Sequence, residues 1–277
     1  MIKKGLAFVL FLVLSGVVYL FLWGFLFPWS PVKPGYAHEG NARWSVYYPE
    51  GTSLPDDYGH IGDLMEETEA FHHLAYTHPV KVILCATPAQ YHRYSTQRSH
   101  LCTMGTGTVI YVNPTVKETK RDIRSFLKHE LSHALVFQHM TLPHAFKLNR
   151  WIREGLAVYY GNPHHYYQGD AFLSLAVDKG YFFDFTGDDG ENPSLIGHIP
   201  ADRRYLFEYA EYRCFVDYLM TRYGSDRFFA FLNLDMRAPE AENEAFRQVY
   251  EVELSAVFQQ FKQEVMARHW PKTTGRE

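Results

Sequence analysis

The chain has 277 residues, a formal net charge of −4 and no run of lysine or arginine, which argues against nucleic acid as a partner. About 245 residues follow the first apolar stretch, enough for one substantial core without a disulfide framework. Aromatic residues make up 17% of the chain, a share that reads chiefly as membrane span and dense core.

Leu6 to Phe27 carries no charge and is preceded by Lys3 and Lys4. As a helix it spans about 33 Å, enough to cross the hydrocarbon core of a bilayer. Pro28-Trp29-Ser30-Pro31 follows in place of a small-residue cleavage site, and Trp23 and Trp29 suit an interface. The expectation is a signal anchor contacting lipid through residues 6–27, with a cytoplasmic N-terminus and the remainder extracytoplasmic, at the inner membrane facing the periplasm. Lys33, just beyond the span, weakens that asymmetry. The domain reading is 1–29 for the cytoplasmic tip and anchor, 30–42 for a linker, 43–270 for one globular domain and 271–277 for a tail.

Residues 43–49 predict a strand, and 61–77 a helix with Leu64, Met65, Thr68, Phe71 and Leu74 at helical spacing. Strands are expected at 80–86 and 106–113, with a short helix near 88–95 between them. Cys85 and Cys102 are candidates for a disulfide in an oxidising compartment, worth about 3 kcal/mol for a loop of that size. Cys214 reads as a small buried hydrophobe, and without any Cys-x-x-Cys spacing nothing suggests a cysteine zinc site.

A helix at about 118–139 contains His129-Glu130-Leu131-Ser132-His133. At about 100° per residue the two histidines project from one face, roughly 40° apart, so both rings can reach one metal ion. Ile123, Leu127, Leu131, Ala134 and Leu135 gather on the opposite side, which makes that face the buried one. Glu130 stands where a carboxylate can take a proton from metal-activated water. His139 holds the position of a third histidine in another zinc pattern, but Val136 stands where that pattern needs its turning glycine. It therefore reads as an ordinary helix-end histidine. A helix at 150–160, capped by Asn149 and stopped by Gly161-Asn162-Pro163, offers Glu154 as the third ligand. His72-His73, His144 and His164-His165 read as exposed polar residues.

Helices are further expected near 170–179, 203–223, 225–235, 240–249 and 253–269, with a loop at 187–193 that is either a cleft rim or plain surface. In the helix at 203–223, Tyr205, Tyr209, Tyr212, Val216, Leu219 and Tyr223 form a stripe, the ordinary mark of a core face.

His129-Glu130-Leu131-Ser132-His133, then Trp151-Ile152-x-Glu154-Gly155-x-Ala157, and later Tyr218-Leu219-Met220-Thr221-Arg222-Tyr223-Gly224, resemble the gluzincin metallopeptidases, specifically the bacterial peptidase MA-like group. The resemblance covers roughly residues 80–265. It implies an α+β, zincin-like fold: an N-terminal transmembrane helix, a small β-sheet lobe with the active-site helix, and a helical C-terminal lobe. It implies one Zn2+ held by His129, His133 and Glu154, with Glu130 as general base and a peptide or protein as substrate. It also implies a tyrosine beside the substrate carbonyl, for which Tyr209 is the candidate and Tyr205 and Tyr212 are rivals. An edge strand pairing with the substrate is implied near Thr108–Val112, with a covered inner strand as the alternative.

The Gly-x-Met-Glu-Asn motif of the aminopeptidase branch is missing; Met104-Gly105-Thr106-Gly107 has no carboxylate, which favours internal cleavage. Two other functions remain open at this point: a catalytically silent zinc-binding module that holds a partner, and a zinc hydrolase of a non-peptide bond. The intact Glu130 speaks against the first.

Overall fold

A computed structural model describes residues 2–95, 99, 101–119, 122–161, 170–186, 197, 199–201 and 204–267. The loop at 187–193 and His164-His165 lie outside the described residues.

Helix α1 (Ile2–Trp23) stands apart from the rest. Its stretch Gly5–Trp23 is long and apolar enough to cross a membrane, and none of it is buried. The chain then turns directly into the domain. Phe27 is fully buried and stacks on Tyr94 with ring centroids 4.6 Å apart, while Lys81 Nζ donates to the Pro28 carbonyl at 3.1 Å. The stretch read as a linker contains a strand, β1 (Tyr36–Gly40), paired antiparallel with β2 (Trp44–Pro49).

Next come α2 (Ile61–His72), β3 (Val80–Leu84), α3 (Pro88–Ser95), β4 (Leu101–Thr103) and β5 (Val109–Val112). Helix α2 stops short of the expected 77 because His73 adopts a left-handed conformation (φ 54°) and its N–H closes on the Glu69 carbonyl. The sheet order is β1-β2-β3-β5-β4, with β2, β3 and β5 parallel. Strand β5 is therefore an inner strand, not an edge; the edges are β1 and, on the β5 side, β4, a three-residue strand absent from the sequence expectations.

The same order corrects the disulfide. Cys85 follows β3 and Cys102 lies on β4, with β5 between them, so two strand spacings of about 4.8 Å separate the backbones, beyond the reach of an S–S bridge. Both are free thiols, as is the buried Cys214.

The period-2 alternation sends Val82, Leu84, Ile110 and Val112 to one face of the sheet, where they pack with Leu64, Leu127 and Leu131 from the helices. Ile83, Val109 and Tyr111 face the other way, against Tyr91, Tyr94 and Phe27. The covering helix α4 (Ile123–Gln138) carries the histidine motif. It begins at Ile123 because Asp122 caps it, accepting from Arg124 N at 3.0 Å, and residues 114–119 before it form a 3-10 turn.

A short α5 (Leu142–Lys147), also unforeseen, leads to α6 (Arg150–Gly161). The helical lobe continues with α7 (Asp170–Asp178), α8 (Arg204–Tyr223), α9 (Ser225–Asp235), α10 (Glu242–Tyr250) and α11 (Leu254–Ala267). Its core is aromatic: Trp151, Phe185, Phe215, Phe231 and Phe258 are all fully buried. Observed helices and strands together make an α+β chain of mostly helical content with a small sheet, as expected.

Candidate metal centre

Helix α6 lies between α4 and α8, and two glycines let it approach both. A Cβ at Gly161 would sit 2.8 Å from the Ser125 carbonyl oxygen and 3.1 Å from His129 Cβ. A Cβ at Gly155 would sit 2.8 Å from the Tyr212 carbonyl oxygen. Real Cβ atoms do not approach that closely, so these contacts require glycine. The result is that Glu154, beside Gly155, faces the histidine pair of α4.

The Nε2 atoms of His129 and His133 are 3.0 Å apart. Glu154 Oε2 is 3.6 Å from His129 Nε2 and 3.4 Å from His133 Nε2. Zinc bonds of about 2.0–2.2 Å at tetrahedral angles place ligand atoms roughly 3.3–3.5 Å from one another. The three donors therefore fit one zinc ion, and among the described residues this is the group that could hold a metal.

Neighbouring groups orient the ligands. The other Glu154 oxygen, Oε1, accepts from Arg153 Nε at 3.2 Å, which turns Oε2 toward the rings. The Ala157 backbone on α6 also faces the His129 ring and favours its charged form. The His133 ring stacks on Phe137 at 5.8 Å.

Burial by itself would push the Glu154 carboxyl up, but the His133 and His129 rings outweigh it and hold the group well below the usual carboxylate range. Burial opposes charge on His129 too, yet its bond to Glu154 and the nearby Glu130 raise it above the ordinary histidine value. The site is thus built around an ionised carboxylate, as a cation site requires.

Glu130 is 6% exposed and stands beside the ligand pair on α4. Its Oε2 accepts from Thr103 Oγ1 at 2.7 Å. Of the tyrosines on α8, Tyr212 is buried and donates to Glu208 Oε1 at 3.1 Å, so its hydroxyl is committed to the core. Tyr205 is exposed and its ring packs edge-on against Tyr209. Tyr209 is half-buried, lies under the Arg150 guanidinium at 5.6 Å, and its hydroxyl is held protonated by burial and by the Glu154 charge.

His139 ends α4 and its Nε2 meets the Ala75 carbonyl at 2.9 Å, away from the site, as expected. His72 is not the exposed residue that was expected. It is 1% exposed and reaches Ser132 Oγ inside the motif at 2.8 Å. Arg153 and Thr103 are the site residues that sequence reasoning missed. Arg153 left no signal, whereas Thr103 could have been found from the glycine-bearing turn at 104–107 between two short apolar runs.

No protein-family model and no curated protein matches the chain. Among solved structures it is similar to a single-residue mutant of an M1 zinc metallopeptidase from Deinococcus radiodurans: 17% identity, TM-score 0.44, covering 87% of this chain and 53% of that one. The same mutant bound to a Tyr-Ser-Ala substrate gives 15% identity and a TM-score of 0.43, covering 85% and 52%. A two-domain M1 zinc metallopeptidase mutant bound to L-tryptophan gives 16% and 0.43, covering 87% and 54%. The chain spans about half the length of these structures.

Proposed function

We propose that the protein is a zinc metallopeptidase that hydrolyses peptide bonds internally and is held at a membrane by α1. The observation that carries this reading is the convergence of two imidazole nitrogens and one carboxylate oxygen at ligand spacing, with a second carboxylate, Glu130, beside them. His129, His133 and Glu154 hold the ion. Zinc bound there supplies Lewis acidity, which activates water near neutral pH and polarises the carbonyl under attack.

The rest falls to the chain's own residues. Glu130 accepts the proton of the attacking water and delivers it to the leaving amine. Tyr209, protonated and half-buried, donates to the oxyanion. Strand β4 ends the sheet beside α4, so its free edge offers main-chain hydrogen bonds to an extended peptide with little demand on side chains. The lack of a Gly-x-Met-Glu-Asn carboxylate to hold a free amine supports internal cleavage. Lys3 and Lys4 before the span support an extracytoplasmic domain.

Glu130→Gln is the decisive test. The variant should keep one zinc per chain by metal analysis and lose at least about 100-fold in peptide turnover. Undiminished turnover by this variant, or by chelated wild-type protein, would overturn the assignment.

A further inference from the structure

We propose that Thr103 is a positioning residue that tethers the Glu130 carboxylate to the edge strand β4, an inference that rests on the peptidase reading above. Strand β4 alternates: Cys102 packs with the cluster on the sheet face away from α4, and Thr103 points the other way, to α4. There its hydroxyl lies 2.7 Å from Glu130 Oε2 and 2.9 Å from the Glu130 backbone carbonyl. One hydroxyl has one proton to give, and the charged carboxylate at the shorter distance is the stronger acceptor.

A glutamate side chain has three rotatable bonds, and a general base must meet its proton within hydrogen-bond reach. Threonine is stiff about χ1, so the tether fixes one carboxylate oxygen while leaving Oε1 for the reacting water. When Oε1 has taken the proton, Oε2 is the carbonyl oxygen of the acid and still accepts from Thr103, so the tether survives the transfer. Because Thr103 sits on the strand whose free edge faces substrate, the base and the peptide are positioned from one backbone.

The test compares Thr103→Val, which keeps the shape and removes the hydroxyl, with Thr103→Ser, which keeps the hydroxyl. In the zinc-loaded full chain, Thr103→Val should lower kcat by roughly 10- to 100-fold, as removal of such orienting partners does. Zinc content and KM should stay at wild-type values, and Thr103→Ser should recover most of the loss. Wild-type kcat in Thr103→Val, or equal losses in both variants, would overturn the proposal.

A second readout needs no turnover. In the metal-free chain, the Tm loss caused by Thr103→Val should shrink or vanish in a Glu130→Ala background. Simple additivity of the two Tm losses would show that the tether does not exist. Coupled Tm losses in a protein with no Glu130-dependent hydrolysis would instead overturn the peptidase reading, and the catalytic purpose of the tether with it.

Discussion

His72 makes stability fall with acid in a way that can be worked out in advance. Its Nδ1 is 2.9 Å from the Thr68 carbonyl, which can only accept, so Nδ1 carries the proton. Nε2, 2.8 Å from Ser132 Oγ, then accepts from the serine, and the ring is neutral. Tyr160 and Phe71 pack edge-on against it. Burial, opposed by the Thr68 carbonyl and reinforced by His133 and His73, pushes its pKa down to about 4. The unfolded value is about 6.5, so on acidification the unfolded chain takes up this proton first. The contribution is intact above about pH 6.5 and is lost as pH falls toward 4. Between pH 7 and pH 5 the loss is about 2 kcal/mol. Urea unfolding with excess chelator, followed by tryptophan fluorescence, should show it as the difference between wild type and His72→Phe. The variant leaves Ser132 without its partner and should be less stable at pH 7 by about 1–3 kcal/mol. Its stability should nevertheless fall about 2 kcal/mol less than that of wild type between the two pH values. Titration of the shared metal ligands cancels in that comparison. Parallel pH dependences for the two proteins would refute the account.

Three further outcomes are expected. Glu154→Ala should abolish tight zinc binding, read by equilibrium dialysis, because it leaves only two imidazoles on the ion. Tyr209→Phe should lower kcat roughly 100-fold at unchanged zinc content, as loss of one oxyanion donor does, and an unaltered kcat would remove it from the mechanism. Gly155→Ala forces a Cβ to 2.8 Å from the Tyr212 carbonyl oxygen on α8 and should cost about 1–3 kcal/mol in urea unfolding, with weakened zinc binding as α6 shifts and Glu154 loses its register against the histidines.

What could be read from the sequence divides by the range of the interaction. The relation of His129 to His133 is set within one helix, so their spacing alone fixed it, and the Asn149 start of α6 is equally local. Longer-range features depended on sheet order. The Cys85–Cys102 pairing fails, and of the two roles open to the strand near 108–112 the inner one holds, for one reason, namely that β4 adds outside β5. Three residues are too few for alternation to declare a strand, and its partner is chosen by a hairpin whose turn, Met104-Gly105-Thr106-Gly107, matches no two-residue hairpin signature. His72 failed differently: a histidine on an amphipathic helix defaults to the surface, and only the docking of α2 on α4 supplies the serine that makes its burial tolerable.

The zinc ligands, although widely separated in sequence, were legible because the steric conditions for bringing them together are themselves written as residues. Glu154 meets the histidines only if α6 can approach α4 and α8 at once, and the two positions where its backbone comes closest are Gly161 and Gly155. A glycine inside a helix costs roughly 1 kcal/mol relative to alanine, so Gly155 weakens α6 on its own. That weakness is offset only by the close packing the glycines permit, which delivers a carboxylate to within 3.4 and 3.6 Å of the two rings. The acid and the two glycines are therefore one physical device: Glu154 is the ligand, Gly161 lets its helix close on α4, and Gly155 lets the same helix seat against α8.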